Sequence, residues 1–374
     1  MRKVGILGGG QLGRMLLQAS ANYNVEVHVL EKDSDCPAAQ ICGHFTPGDI
    51  RDYDDVLRFG HDLDAVTIEI ESVNTEALHA LEGAGVKTYP RAHALDLIKN
   101  KIDQKRFYKE HGIPSAEFLV TTARQDLESH MDFLPAVHKL GQGGYDGRGV
   151  QILRNREDLK LAFDSPSVLE RVVHIEKEIS QVVAMAENGE TAIYPPVDMV
   201  FDPYLNLLDY QLSPADIPKE VLWKVEAIAL RVVKELKSPG IFAVELFVDR
   251  KHDVLVNETA PRVHNSGHHT IEANYSSQFD MLWRIILGHA LGNTDHILPA
   301  AMVNLLGAEG FQGPARYDGL EEVMKMDNAF AHIYGKKDTR GGRKMGHVTI
   351  LGREKGDLVH CAKKVKQTIR VVSD

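Results

Sequence analysis

The chain predicts an open α/β domain over residues 1–98, an α+β domain over 99–290 and a small C-terminal module over 291–374. Three observations predict this. Strand and helix signals alternate through the first hundred residues. Strands then come in runs, broken by one long amphipathic helix. Beyond residue 290 only short strand-like pieces remain, around the basic turn KDTRGGRK. One-for-one alternation implies a parallel sheet with crossover helices, and its ligand crevice lies at the carboxyl ends of the strands.

In the first domain KVGIL is a short apolar strand, GRMLLQASAN a helix and VEVHVLE an alternating strand. DYDDVLRFGHD is a helix, AVTIEI a strand, NTEALHALEGAG a helix and VKTYP a short strand. In the second, NKIDQKRFYKEHGIPSAEFL gives a charged helix, a turn at His111-Gly112 and an entry into a strand. PAVHKL, VQILRN, SVLERVV, KEISQVVAMAE and TAIYPPVDMVF read as strands, and VLWKVEAIALRVVKELK as a helix with apolar residues at helical spacing. GIFAVELFVDR and VLVNETAP form a hairpin across RKHD. AHIYGK and MGHVTILG are the strands of the third region.

Composition narrows the function. Hydrophobic residues at 43% and charged residues at 26% fit an ordinary globular protein. A formal net charge of −10 argues against nonspecific nucleic-acid binding. No apolar run approaches the roughly 18 residues of a membrane helix. MRKVGILGGGQLG breaks at its glycines and reads as a first strand, not a signal peptide. Cys36, Cys42 and Cys361 fit no zinc spacing and point to a reducing, cytoplasmic setting.

Several motifs carry chemistry. GGGQLG matches GxGxxG through Gly8, Gly10 and Gly13, with Glu31 placed as a ribose-binding acid would be. Alone it allows a nicotinamide-dependent oxidoreductase, a purely structural helix–sheet packing, or another anion held at a helix N-terminus. GQGGYDGRG, residues 141–149, is richer. Its glycines let backbone N–H groups approach phosphate oxygens, and Lys139 just upstream supplies a cation. The loop lacks GxxxxGK[ST], so it is no Walker A site. In SVLERVVHIEKEIS, Glu170 and Glu178 read first as ordinary surface glutamates beside strands; a strand edge here would instead let Glu170 accept from an adenine amine and Glu178 from ribose hydroxyls. Glu245 inside AVELFV and Asn257-Glu258 ending VLVNE put two acids and an amide on neighbouring strands, an oxygen-rich set suited to Mg²⁺. In APRVHNSGHHT, residues Arg262, His264, Asn265, Ser266, His268 and His269 crowd together. No zinc pattern supports them, and they favour a phosphate-bearing substrate.

Together, GGYDGRG after a strand-borne lysine, the glutamate-bearing strand and the acid-strand/NE pair resemble the ATP-grasp superfamily. GGGQLGRM, GGYDGRG, NETAPRVHNSGHHT and GGRKMGHV, in that order along the whole chain, resemble the 5-(carboxyamino)imidazole ribonucleotide synthetases of purine biosynthesis. The resemblance implies an ATP-grasp fold with a pre-ATP-grasp first domain, and ATP and Mg²⁺ as cofactors. It also implies bicarbonate and 5-aminoimidazole ribonucleotide as substrates, and a homodimer. Lys101, which stands where the family usually has Arg, would contact the nucleotide, and Lys139 its phosphates. Gly144, Tyr145, Asp146, Gly147, Arg148, Gly149 and Val150 would close over them. Glu170 and the backbone of Arg171, Val172 and Val173 would face adenine, and Glu178 the ribose. Glu245 and Glu258, helped by Asn257, would hold Mg²⁺. Arg148 would hold bicarbonate or carboxyphosphate, Asp146 orient the attacking amine and Tyr145 exclude water. Gly10, Gln11, Leu12 and Glu71 would complete the ribonucleotide site. Arg262, His264, Asn265, Ser266, Lys336, Arg343 and Lys344 would serve its phosphate or the bicarbonate-derived group, with Arg262 and Lys336 next to the reacting atoms. Two departures from the family pattern stand out. Phe201 replaces a polar residue, and Leu140-Gly141 replaces basic or hydroxyl residues, which predicts a looser loop.

Overall fold

A computed structural model of the chain describes residues 1–144, 149–201 and 208–373. The first sheet is built from β1 (Arg2–Leu7), β2 (Val25–Glu31), β3 (His44–Pro47), β4 (Ala65–Ile68) and β5 (Lys87–Tyr89). All its pairings are parallel, in the order β3-β2-β1-β4-β5. Helices α1 (Gln11–Ser20), α2 (Tyr53–Gly60) and α3 (Thr75–Gly83) provide crossovers. Asp52 and Asn74 cap α2 and α3 by accepting from Asp55 N and Ala77 N. The chain order reverses between β1 and β4, so the crevice of this sheet opens where GGGQLG and Glu69–Glu71 emerge.

Helices α4 (Ala92–Lys99) and α5 (Lys101–Glu110) lead into a four-stranded antiparallel sheet. Its strands are β6 (Phe118–Thr121), β7 (Ala136–Leu140), β8 (Val150–Leu153) and β9 (Ser167–Arg171), in the order β6-β9-β7-β8. Opposite stands a larger sheet. It takes β10 (Ile175–Met185), β11 (Thr191–Ile193), β12 (Val197–Phe201), β13 (Leu208–Ser213), β14 (Gly240–Asp249) and β15 (Val254–Ala260). Helix α6 (Lys219–Leu236) covers its far face, burying Val221, Val225, Ala229, Val232 and Val233 against Ile179, Val183, Phe242 and Val244. The other face looks across a cleft at the small sheet.

After α7 (Thr270–Ala273) and α8 (Gln278–Leu287), the chain adds β16 (Ala300–Leu306), β17 (Gln312–Pro314), β18 (Arg316–Asp318) and α9 (Leu320–Met324). It closes with β19 (Ala329–Ile333), β20 (Asp338–Arg340), β21 (Lys344–Leu351), α10 (Lys355–Thr368) and β22 (Arg370–Val372). Strands β16, β21 and β19 continue the large sheet, whose order runs β15-β14-β10-β12-β13-β16-β21-β19. The last stretch of sequence is therefore an extension of the central sheet, with its own core of Val303, Met345, Val348, Leu358 and Val365. Helix α8 packs on α1, where Trp283 Nε1 donates to Leu16 O at 2.8 Å.

Candidate active site

Two acids define the floor of the cleft. Glu245 on β14 and Glu258 on β15 are cross-strand partners, so their side chains rise from the same face. The register slips immediately after this pair, Leu246 meeting Val256, and Asn257 is the extra residue of a β-bulge. Val256 and Thr259 point into the core, while both Asn257 and Glu258 are left facing the cleft. Strict alternation would have buried one of the two. The bulge is what lets an adjacent amide and acid serve one site.

Helix α5 supplies the cations. Asn100 caps it, accepting from Ile102 N at 2.9 Å, and Lys101 at its start forms an ion pair with Glu258. One turn on, Lys105 lies 3.2 Å from Glu170 Oε2. The same carboxylate sits 3.2 Å from Lys139 Nζ, which also donates to Asn257 Oδ1 at 2.9 Å. Tyr108 and Gln104 fasten the helix to β15: Tyr108 O–H meets Thr259 Oγ1 at 2.8 Å and Gln104 Oε1 accepts from Thr259 N at 3.1 Å. Two sets of contacts thus line the floor, Lys101 with Glu258, and Lys105 and Lys139 with Glu170 and Asn257.

The electrostatics follow from burial. Glu245 is pushed up from the ordinary carboxylate range by desolvation first, then by the charges of Glu258 and Glu178. Glu258 is held low by the Lys101 ammonium beside it. Burial raises Glu178 to about 7. Lys105 is pulled down to about 8, again chiefly by burial. A floor that crowds Glu178, Glu245 and Glu258 while leaving Glu245 reluctant to ionise fits a divalent cation, which removes the cause of that reluctance.

The glycine stretch connects β7 to β8, and its described ends are tied to the framework. Leu140 N donates to Gly149 O at 2.9 Å, and Gly149 has φ +83°, the left-handed region that favours glycine. Gly141 is fixed rather than loose. Its N–H donates to Pro166 O at 3.0 Å, its carbonyl accepts from Lys101 N at 2.8 Å, and a Cβ there would meet Pro166 O at 2.9 Å. The replacement of a larger residue by Gly141 is thus a close-packing requirement that also anchors α5. Gly144 and Val150 are half-buried. Tyr145, Asp146, Gly147 and Arg148 lie outside the described residues.

The hinge between the sheets is Glu170–Val173. Glu170 is only 3% exposed, with its carboxylate engaged by the two lysines, which differs from the expectation of a carboxylate offered to adenine. The reason is electrostatic: two buried ammonium groups need a counter-charge more than the cleft needs an acceptor. Arg171 turns outward onto the Phe133 ring, 4.1 Å from its centroid, and donates to Asp132 O, leaving only its backbone at the hinge. Val172 is exposed and Val173 half-buried, and a cavity of about 480 Å³ opens beside them against Leu255 and Asp249. Phe201 ends β12 on the face that carries Met199, the register partner of Glu178.

At the first sheet the structure departs furthest from expectation. The N–H groups of Gly10 and Gly13 donate to the two carboxylate oxygens of Glu69, at 2.5 and 2.8 Å. Gly9 N donates to Glu31 Oε2 at 3.1 Å. A Cβ on Gly8 or Gly10 would fall 2.4 or 2.5 Å from Glu69 side-chain atoms. GGGQLG is therefore a seat for the chain's own glutamate, which satisfies the free amides of α1 as an external anion would. Leu12 is buried in the core, and Gln11 is half-buried at the start of α1. Glu71 pairs with Arg262 Nε at 2.9 Å, joining the first sheet to the end of β15.

Beyond β15, His264 Nε2 lies 3.7 Å from Glu245 Oε1, while its Nδ1 meets Ser266 Oγ at 2.9 Å. Ser266 Oγ in turn lies 2.6 Å from Ser180 Oγ. Asn265 begins the same single 3₁₀ turn. His268 and His269 are buried and depressed by desolvation, held neutral inside the fold. Lys336 donates to Lys344 O at 2.7 Å, and Arg343 to Asp338 O at 2.6 Å, so these three bases are held together at the start of β21. Lys344 contributes to the field at Glu245. Sequence reasoning missed Lys105 and Glu69. The first has a signal, its i,i+4 spacing from Lys101; the second, two residues from Glu71 in EIES, has only strand parity.

A glycine-rich β7–β8 connection, a two-carboxylate floor and lysines between two β-layers together define an ATP-grasp enzyme. Comparison with known proteins agrees. Residues 1–99 match the ribonucleotide synthetase preATP-grasp domain, 106–279 the ATP-grasp domain and 300–360 the phosphoribosylaminoimidazole carboxylase C-terminal domain. The chain belongs to the N5-carboxyaminoimidazole ribonucleotide synthase family. It is 34% identical over 372 residues to the synthase of Aquifex aeolicus, covering 98% of this chain and 96% of the relative. It is 35% identical to a chloroplastic phosphoribosylaminoimidazole carboxylase of Vigna aconitifolia, of whose length it spans 64%. The Thermotoga maritima synthetase superposes with a TM-score of 0.92 at 37% identity over all of both chains. The Aspergillus clavatus enzyme in complex with ADP and 5-aminoimidazole ribonucleotide superposes with a TM-score of 0.89 at 30% identity over 98% of each chain. The nicotinamide-dependent reading of GGGQLG falls with these matches and with the engagement of that loop's amides by Glu69 and Glu31. Among the described residues no helix is long and apolar enough to cross a membrane.

Proposed function

We propose that the chain carboxylates the exocyclic amine of 5-aminoimidazole ribonucleotide, using ATP and bicarbonate and releasing ADP and phosphate. The cross-strand pair Glu245 and Glu258, with Lys101 on Glu258 and Lys139 on the adjacent Asn257, carries this reading. A bicarbonate oxygen attacks the γ-phosphorus as its bond to the ADP oxygen breaks, giving carboxyphosphate. The amine nitrogen then attacks the carboxyl carbon, the bond to the phosphate oxygen breaks, and the amine loses a proton. Mg²⁺, held by Glu245, Glu258 and Asn257, supplies charge neutralisation for the phosphates when bound.

The residues of the chain do the rest. Lys139 and Lys101 hold phosphate oxygens, and Gly144, Gly149 and Val150 offer backbone around them. The Arg171–Val173 backbone faces adenine and Glu178 the ribose. Tyr145, Asp146 and Arg148 keep water out, orient the amine and hold the carboxyphosphate. Arg262, steadied by Glu71, works with His264, Lys336, Arg343 and Lys344 on the ribonucleotide and the bicarbonate-derived group. Gln11 and Asn265 complete that side. Residues 1–98, 99–290 and 291–374 are the three domains, the setting is cytoplasmic and the assembly a homodimer, which light scattering checks directly.

Phosphate release in the presence of Mg·ATP should require both bicarbonate and the ribonucleotide. Release unchanged on omitting the ribonucleotide would leave only a generic ATPase. Arg148→Ala should lose at least roughly 100-fold in kcat with an unchanged melting temperature, since one electrostatic contact to a reacting anion is worth that much. Metal binding should depend on pH. Below its raised pKa Glu245 carries a proton, and a cation takes the ionised form. Mg²⁺ affinity should therefore rise with pH through neutrality, up to about tenfold per unit, and then level off. Calorimetry at pH 6 and pH 8 that gave equal affinities would contradict the assignment.

A further inference from the structure

We propose that Glu26, His28 and His44 form a binding site for a divalent transition metal, with Zn²⁺ the expected ion, on the outer edge of the first sheet. His28 and His44 are register partners on the parallel strands β2 and β3. Their rings stack with centroids 4.6 Å apart and planes 24° apart. Glu26 lies two residues before His28, on the same face of β2, and its carboxylate is 2.8 Å from His28 Nε2. One donor atom from each of the three lies within 4.8 Å of the others. Metal–ligand bonds of about 2 Å set tetrahedral edges of roughly 3.3 Å, so modest side-chain rotations close the triangle.

The donor set selects the ion. Two imidazoles and one carboxylate suit Zn²⁺, Co²⁺ or Ni²⁺ and leave coordination positions open to water, whereas Mg²⁺ prefers oxygen alone. The open side of the site is at His44, which is exposed; beside His28, the space over its β1 partner Gly5 is taken by Phe59 and Leu63. A cavity of about 320 Å³ opens at His28, lined in part by Thr46, Asp55, Arg58 and Asp62. Lys3, the β1 partner of Glu26, and Arg58 oppose a cation, while Asp55 and Asp62 favour it.

The site would act as a clip. Strand β3 ends the segment 32–43, which reaches across to the third region. There Asp35 pairs with Lys337 at 2.7 Å and Gln40 donates to Gly335 O at 2.6 Å. A metal joining β2 to β3 fixes the near end of that segment, one side of the strand-to-turn stretch that carries Lys336.

The test titrates Zn²⁺ into metal-free protein by calorimetry in excess Mg²⁺, with Co²⁺ absorption as the readout of imidazole ligation. The wild type should take up one equivalent that His28→Ala and His44→Ala both lack. Zn²⁺ should raise the melting temperature of the wild type and not of the variants, and Mg²⁺-dependent turnover should be the same in all three. Lys3→Ala should bind Zn²⁺ more tightly. Equal zinc stoichiometry in the wild type and both variants, or no equivalent in the wild type, would overturn the proposal. His44 is exposed at an edge strand, so its variant keeps the test meaningful even if His28→Ala folds poorly.

Discussion

Glu258→Gln should lower kcat by roughly 10³-fold, about 4 kcal/mol of barrier, while leaving the melting temperature nearly unchanged. The carboxylate faces Glu245 and pairs with Lys101, so its removal takes one of two charges from the metal floor and the counter-charge from a lysine. Glutamine keeps the shape and one acceptor, and the side chain is 42% exposed, so the fold has little to lose. Loss of the Glu258 charge should also bring Glu245 back toward the ordinary carboxylate range, because that charge helps to push it up. ADP formation and a thermal melt read both effects. Undiminished turnover in this variant would remove the metal assignment.

Glu170→Leu should destabilise the protein by about 3–5 kcal/mol, since it strands two buried ammonium groups without their shared partner. Lys105 is 4% exposed at its side chain and Lys139 13%. With Glu170 present, burial already pulls Lys105 down to about 8. A lysine whose folded pKa lies below the unfolded 10.5 binds more protons unfolded, so its contribution to stability rises with pH between those values. Without Glu170 the folded value falls further and the window widens. The urea midpoint should therefore climb with pH more steeply in Glu170→Leu than in the parent. Adding Lys105→Met should recover much of the loss. A midpoint equal to the parent's at neutral pH would show that the three groups do not depend on one another.

The sequence carried most of the architecture because its signals are local. The alternation in VEVHVLE and the spacing in VLWKVEAIALRVVKELK give β2 and α6 directly. QFDMLWRIIL carries a helical apolar stripe, with Asp280 and Arg284 four apart on its polar side, yet α8 is not among the helices named from the sequence. HFTP is four residues long, carries a proline and sits at an edge, so β3 has little pattern to read. The acids Glu245 and Glu258 stand out because a charge inside an apolar run demands a partner. What the sequence hides depends on register and on distance in space. Only the bulge explains how Asn257 and Glu258 face the same way. Only the parallel pairing of β1 with β4 brings Glu69, just past β4, onto the amides of α1. Lys105 is legible afterwards as the helical neighbour of Lys101, but its burial against Glu170 comes from α5 packing beneath β9.

The continuity of the large sheet bears on how the chain can be cut. Severing it near residue 290 removes β16, which pairs with β13 from Tyr210 to Ser213. The truncated piece would bare a hydrogen-bonding edge and the apolar flank of Leu212, a template for self-association. Expression of the two upstream domains alone should give aggregates, and supplying residues 291–374 as a separate polypeptide should rescue solubility by completing the ladder.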